Sequence, residues 1–550
     1  MGEDHRKQWD AIVIGSGLGG LACAAYLGAA GKRTLVLEAH YVAGGNSQTF
    51  RRGIHGRKYE FDVGVHYIGE CGPEGLITRV LRGLGLAERV RFRPLDPDGY
   101  STLLFPDFQF RVPAGWDRYR ARLLEAFPGE REALGSVVDV MREVAEGGRR
   151  FQNGEQSAAG AGEVGAFMTW GLRPVTDLFA EYGLSQRASA VLLGEQGDYA
   201  VRPSRTPTAL AAGLTDHYMR GAFYPEGGGQ VIAGRLVEAI RAYGGEVRTL
   251  APVRRVRIEH GRVAGVELAK GGVIDAPVVI SNADLKRTVC ELVGEQHFSP
   301  DTVERVRAFR MALPLFVVYL GLDIDLSARG LPNTNFIMWD SYDIEAIYEQ
   351  LESGRIPEED LVYITAATLK DPANRRLAPA GHSNVQIMTL VPRDYGIWGV
   401  DANGAEVGAY HRDPEYRRRK EWLADRLITA AERVIPGLRE HIDWREAATP
   451  VTQERFTHAT GGTSYGVEFA CDQMGPLRVG PHTEVPGLYL AGASTPSGHG
   501  IGPVLRGGVM AAAAVLERDL LRQVFSGEVL GDRDRLPRLR DDWDPWRECH

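Results

Sequence analysis

Three separated blocks of this chain combine glycine turns with apolar strand-like and helix-like runs, and the first has the spacing needed to hold a dinucleotide. Gly15-Ser16-Gly17-Leu18-Gly19-Gly20 directly follows Trp9-Asp10-Ala11-Ile12-Val13-Ile14. Gly15 allows a tight turn, Gly17 lets the backbone approach a pyrophosphate, and Gly20 permits close packing of a helix on a strand. The free N–H groups of the helix N-terminus, from Leu18 and Gly19 onward, then face the phosphates. Glu38 ends a second apolar, β-branched run, where a carboxylate accepts hydrogen bonds from ribose hydroxyls and disfavours a 2′-phosphate. NAD and FAD share this fingerprint, so the turn names a dinucleotide without choosing one.

The surrounding pattern predicts the elements that hold these residues. Leu21 to Ala30 supplies small and aliphatic residues suited to a helix, Gly31 ends it, and Arg33 to Glu38 reads as a second, parallel strand: a βαβ unit. A second block opens at Gly227-Gly228-Gly229, continues as an amphipathic helix over 230–242, and breaks at Gly244-Gly245. Strands are predicted over 246–250, 253–259, 262–268 and 278–280, with His260-Gly261 as a hairpin turn. A third block, Gly487 to Gly492, is a short strand followed by a helix from about Pro503 to Leu521. The regions 100–220 and 300–445 differ in texture, being helix-like and aromatic. Tyr416 to Ile435 reads as an amphipathic helix with a charged outer face.

Composition excludes several classes. With 64 basic and 72 acidic residues the net charge is -8, which gives no general attraction to nucleic acid. Five cysteines are scattered and odd in number, and none lies in a C-x-x-C pair, so neither a disulfide framework nor a zinc site is expected. The fourteen histidines show no metal-ligand spacing with acidic residues. No apolar stretch reaches the roughly 20 residues of a membrane span, and a cytoplasmic location is expected, with membrane contact at most peripheral.

The continuation after Glu38-Ala39 separates the nucleotides. Gly44-Gly45-Asn46-Ser47 resembles the glycine doublet that follows the ribose carboxylate in glutathione-reductase-like and amine-oxidase-like flavoproteins. Leu488-Tyr489-Leu490-Ala491-Gly492-Ala493 resembles their second flavin motif. Glu60-Phe61-Asp62-Val63-Gly64-Val65-His66-Tyr67-Ile68-Gly69, Tyr224-Pro225-Glu226-Gly227-Gly228, Pro252-Val253, Thr449-Pro450, Arg455-Phe456-Thr457, Tyr465-Gly466 and Ala493 to Ile501 resemble the phytoene desaturase superfamily, in particular its retinol saturase and carotenoid isomerase branch. The resemblance runs from about residue 9 to 520. Asn46 departs from it where bacterial carotenoid desaturases commonly carry arginine, and His499 where the closing motif usually has a small residue.

The resemblance implies an α/β fold, with a Rossmann-type FAD-binding domain (9–95, 221–300 and 446–522), an inserted α+β substrate-binding domain (96–220 and 301–445) and a charged tail (523–550). It also implies FAD held by Gly15, Gly17, Leu18, Gly19, Gly20, Glu38, Ala39, Gly44, Gly45, Asn46, Val253, Gly492, Gly500 and Ile501. The substrate class is a long polyene, acted on by desaturation, saturation or isomerisation, with an electron partner that the motifs leave open. A polyene offers no heteroatom for an acid or base to grip, so the flavin carries the reaction while the protein supplies an apolar tunnel and excludes water. A membrane-partitioning substrate brings peripheral membrane contact with it. Candidate walls include Phe167, Met168, Trp170, Phe336, Met338, Trp339, Tyr395 and Trp398. His66 is a candidate to donate a proton or polarise a double bond, and a protonated His499 a candidate to stabilise reduced flavin. Tyr465 and Glu195, in Gly194-Glu195-Gln196-Gly197-Asp198, are weaker candidates. Two alternatives stand beside this reading: an amine-oxidase-like flavoenzyme, which needs a polar pocket, and a non-catalytic escort of prenylated partners with the same fold and no flavin.

Overall fold

The structure is a computed structural model that describes residues 9–153, 165–401 and 408–550. Its first sheet has five parallel strands, in the order Leu488–Leu490, Val279–Ser281, Ala11–Ile14, Thr34–Leu37 and Glu246–Arg248. Strands from all three glycine-containing blocks of the sequence thus meet in one sheet, the run before Gly15 at its centre, whereas Phe223–Pro225, which leads into Gly227, pairs with Phe92–Pro94 in a separate two-stranded sheet.

Both faces of this sheet are covered at its centre, which is why its inner strands read as continuous apolar runs, while the edge strand Glu246–Arg248 does not. Side chains alternate between faces with period two. Ala11, Val13 and Val36 point to one side and pack with the helices Leu18–Ala29, Gln230–Ala242 and Ile501–Leu516. Ile12, Ile14, Leu35 and Leu37 point to the other and pack with Val256, Val263 and Val266. Those valines belong to a three-stranded antiparallel sheet, Val253–Glu259, Arg262–Leu268 and Val273–Asp275. Glycine sets how closely the helices approach: a Cβ on Gly508 would lie 2.3 Å from the Gly19 carbonyl oxygen, so Ile501–Leu516 crosses Leu18–Ala29 nearly backbone to backbone.

A second, seven-stranded sheet runs Ile442–Ala448, Leu315–Leu322, Ser383–Leu390, Leu361–Thr365, Asn335–Trp339, Ser101–Phe105 and Phe108–Val112. It is antiparallel except where Asn335–Trp339 lies parallel to Ser101–Phe105. Strands from both texture-distinct regions therefore join in one sheet. The helix Pro414–Ala431 buries Leu423, Leu427 and Ile428 against Phe316, Val318 and Leu320, while Val317 and Tyr319 face Tyr59 and Phe61 of the hairpin strand Arg57–Asp62. Helices between residues 116 and 219 cover the end that carries Ser101–Phe105.

The predicted helix 503–521 ends earlier, at Leu516: Glu517 turns left-handed at φ +53°, and a separate helix spans Leu520–Phe525. The last residues fold back on the dinucleotide unit. Asp544 accepts from both Arg51 terminal nitrogens at 2.9 and 2.7 Å, and the Ala43 amide donates to the Cys549 carbonyl at 2.8 Å. Among the described residues no helix is long and apolar enough to cross a membrane, and none of their His, Cys, Asp and Glu side chains form a group that could hold a metal ion.

Candidate dinucleotide site and the cavity beside it

The turn after the central strand is shaped by glycines that no side chain could replace. Gly15 stands at φ +89°, and a Cβ on Gly20 would lie 2.4 Å from the Gly15 carbonyl oxygen. Gly17 begins the helix Leu18–Ala29 with no side chain capping its N–H groups, so these groups are left for a ligand. Gly44, at φ +131°, bridges back to Gly17, and a Cβ on Gly45 would sit 2.9 Å from the Gly17 Cα. The turn and the doublet thus form one backbone surface. The helix Ile501–Leu516 also starts uncapped, from Gly500 at φ +96°.

Glu38 closes this surface. Its carboxylate accepts from the Ser16 amide at 2.8 Å, the Ser16 hydroxyl at 2.5 Å and the His40 amide at 2.8 Å. Asn282, at the end of the neighbouring strand Val279–Ser281, reaches among the glycines: a Cβ on Gly17, Gly19 or Gly492 would each come within 3.0 Å of its amide. Its Oδ1 is buried with no hydrogen-bond partner. An orphaned buried polar atom beside two uncapped helix N-termini is what a polar ligand would satisfy.

All the predicted cofactor residues except Gly20 line a single cavity of about 630 Å³. Gly20 lies behind it, where its lack of a Cβ lets helix and strand touch. The cavity continues past the turn to the seven-stranded sheet, whose Leu315, Ile337, Leu361, Tyr363, Met388 and Leu390 form an apolar wall. Strand alternation decides which residues these are. Ile337 faces the cavity, whereas its neighbours Phe336 and Met338 face the opposite core with Tyr395 and Trp398. Trp339 is buried against the helices, its Nε1 donating to the Gly194 carbonyl at 2.9 Å. Phe167 and Trp170 pack beneath the surface and Met168 is 72% exposed. The eight aromatic and methionine residues read as walls therefore form core and surface, and β-branched and aliphatic neighbours form the wall.

His66 and His499 both reach the cavity. Burial lowers each imidazole to a pKa of about 3, aided at His66 by Lys370 and at His499 by Arg478. Desolvation with a cation nearby disfavours the imidazolium at both, which runs against the protonated His499 expected from the sequence. The His499 Nδ1 has no partner, and its ring lies 5.0 Å from that of Tyr465. Lys370, which sequence reasoning passed over, is fully buried. Its ammonium donates to the His66 carbonyl, to Thr365 and to Asn335 Oδ1, and burial lowers it to about 7. Asn282 was also missed; its signal is a polar residue directly after a buried strand that runs beside the glycine turn.

A family model described as NAD(P)-binding Rossmann-like domain matches residues 13–84. The chain is 27% identical, over 94% of its length and 87% of the other's, to all-trans-retinol 13,14-reductase of Danio rerio. It is 27% identical, over 93% of its length and 84% of the other's, to prolycopene isomerase 1, chloroplastic, of an Oncidium hybrid cultivar. Wild-type putrescine oxidase bound to putrescine shares the fold at a TM-score of 0.61, with 15% identity across 93% of this chain and 99% of that one. The protein is thus an oxidoreductase built on a Rossmann-type dinucleotide domain with an inserted α+β unit. Within that class it is similar over nearly its whole length to the all-trans-retinol 13,14-reductases and prolycopene isomerases.

Proposed function

We propose that this chain is a FAD-dependent oxidoreductase acting on carbon–carbon double bonds of an apolar polyene of the retinoid or carotenoid kind. The observation that carries the reading is the continuity of the cavity: a backbone cradle with Glu38 at one end opens onto an aliphatic wall at the other. Gly15, Gly17 and the N–H groups from Leu18 onward would hold the pyrophosphate, Glu38 a ribose, Val253 the adenine side, and Gly44, Gly45, Asn46, Gly492, Gly500 and Ile501 the remaining length. FAD bound there supplies two-electron redox chemistry. The chain's part is to hold the polyene against it, keep water out through Leu315, Ile337, Leu361 and Met388, and manage protons. Segments 9–95, 221–300 and 446–522 would serve the cofactor, and 96–220 with 301–445 the substrate.

Purified protein is expected to be yellow, with a released chromophore that comigrates with FAD. A colourless protein that takes up no added FAD would leave the escort reading standing instead. Oxidised and reduced enzyme incubated with a panel of polyenes should change their spectra, and no change with any of them sinks the substrate class.

The same reading includes peripheral membrane contact. Phe151, Met168 and Leu172 are 54%, 72% and 62% exposed, the Phe151 and Phe167 rings lie 5.7 Å apart, and Arg173 sits over Trp170 at 4.2 Å. Apolar groups rimmed by cations suit a lipid surface. Arg506, on the helix whose first residues line the cavity, holds this patch through the Gln152 side-chain oxygen at 2.6 Å. Cosedimentation with anionic vesicles should be lost in Met168→Asp/Leu172→Asp; equal binding by both proteins refutes the contact.

A further inference from the structure

With both cavity histidines neutral, an acid must come from elsewhere if a proton is to reach the substrate. The short turn Gln196–Asp198 brings one to the cavity. Asp198 lies on the cavity wall and Glu195 lies directly behind it. Tyr67 bridges them, its hydroxyl 2.7 Å from Asp198 Oδ2 and 3.3 Å from Glu195 Oε1. Tyr218, stacked on Tyr67 with ring centroids 4.2 Å apart, donates to Asp198 at 3.0 Å. Ser101 and Tyr100 donate to Glu195 at 2.7 and 3.0 Å.

Every one of these side-chain donors is a hydroxyl, and among the described residues neither carboxylate has an ion pair. The other titratable groups facing the pair are Tyr119, Tyr199, Tyr348, Tyr363 and Tyr465, with His499 beside the Asp198 backbone. Burial pushes all these phenols above their ordinary range and keeps His499 neutral, so none supplies a positive charge. Burial likewise raises Glu195 to about 7, with the neighbouring Asp198 adding to the rise, and Asp198 to about 6. Two buried carboxyls without a cation retain protons into the neutral range because ionising both would place like charges together in low dielectric. An independent observation points the same way. The Tyr363 hydroxyl and His499 Nδ1 line the same cavity and are buried without partners, so the space before Asp198 contains polar groups left free for a reacting molecule.

We propose that Glu195 and Asp198 form a proton-holding pair, and that Asp198 is the catalytic acid that protonates the substrate carbon while Glu195 positions and recharges it. The proposal rests on the polyene reading above. In the reducing direction FAD, held by Gly15, Gly17 and Glu38, would supply in its reduced form a hydride equivalent, the electron pair of the first C–H bond at one carbon of the double bond. The π pair makes the second C–H bond with the Asp198 proton. The O–H pair stays on Asp198 as carboxylate, and the proton is replaced through Glu195 from water.

The test uses the flavin-loaded enzyme and two readouts. Infrared spectra of the wild type should show a protonated carboxyl band that titrates between about pH 5 and 8 and is lost or moved in both Asp198→Asn and Glu195→Gln. This measurement needs neither substrate nor, for the wild type, a variant that folds. Asp198→Asn should lower kcat about a hundredfold or more with flavin affinity unchanged, as removal of a general acid does. Glu195→Gln should retain part of the rate and shift its pH limb, which a merely structural role would not move. A wild type lacking the band, or Asp198→Asn within about threefold of wild-type kcat, overturns the proposal. A wild type that shows the band but converts no polyene overturns the substrate reading instead.

Discussion

Three acceptor positions of the Glu38 carboxylate are already taken by the chain, two by Ser16 and one by the His40 amide. Glu38→Ala therefore removes more than a ribose contact. It leaves the Ser16 amide without its acceptor, at a cost of about 1–3 kcal/mol for a buried donor, and FAD affinity should fall roughly tenfold or more. Cofactor titration and a thermal melt measure the two effects separately; unchanged FAD affinity removes Glu38 from the site. The acidic residue was readable because a carboxylate after a second strand has few other reasons to be there. Asn282 was not, since nothing in Ser281-Asn282-Ala283 announces that its amide enters the glycine turn from another strand. His66 and His499 both line the cavity, but their protonation could not be read from the chain. It depends on burial and on Lys370 and Arg478, which are distant in sequence.

At the scale of elements, the helices that begin at Leu18 and Ile501 are locked to each other through Gly508 and Gly19. Gly508→Ala places a Cβ 2.3 Å from the Gly19 carbonyl oxygen and 2.9 Å from the Ala22 Cβ. The helices must then separate, which should cost about 1–3 kcal/mol as overpacking does. Because both N-termini line the cavity, cofactor affinity should fall together with the melting temperature. A stability loss with FAD affinity intact would show the two helix starts to be independent of that crossing. The inner strands of the parallel sheet were readable from their continuous apolar runs, and so was the helix Gln230–Ala242 from its amphipathic spacing. Phe336 and Met338 misled because a two-residue period identifies which residues share a face but not which face meets the cavity, while Trp339, on the same face as Ile337, is covered by the helices instead.

Across the whole molecule, buried titratable groups set opposing pH dependences. His66, His217 and His499 fall to about 3, 4 and 3. Their folded pKa lies below the unfolded value near 6.5, so the stability they contribute is present above that value and is lost as pH falls from it toward the folded pKa. Glu195 and Asp198 are raised to about 7 and 6. Their contribution is present below the unfolded value near 4 and is lost as pH rises through the folded values. Between about pH 4.5 and 6 the two sets oppose each other. Removing the acids in Glu195→Gln/Asp198→Asn should uncover the histidines, so that stability drops more steeply on acidification, by ~1.4 kcal/mol per pH unit for each acid removed. Denaturant midpoints measured across pH check this, and parallel curves for the two proteins refute it.

The sequence by itself determined the dinucleotide turn, the acidic residue after the second strand, and the parallel pairing of the first two strands in a βαβ unit. These follow from local rules: glycines where a Cβ collides with backbone, uninterrupted apolar runs where a strand is covered on both faces, and a carboxylate at the strand end. Tertiary structure alone decided that Ile337 rather than Phe336 faces the cavity, that the two histidines are neutral, and that Glu195 and Asp198 stand together under a layer of tyrosines. Each depends on what distant segments bring to one place, since burial and neighbouring charge set the protonation of a group and neither is written in its own stretch of chain.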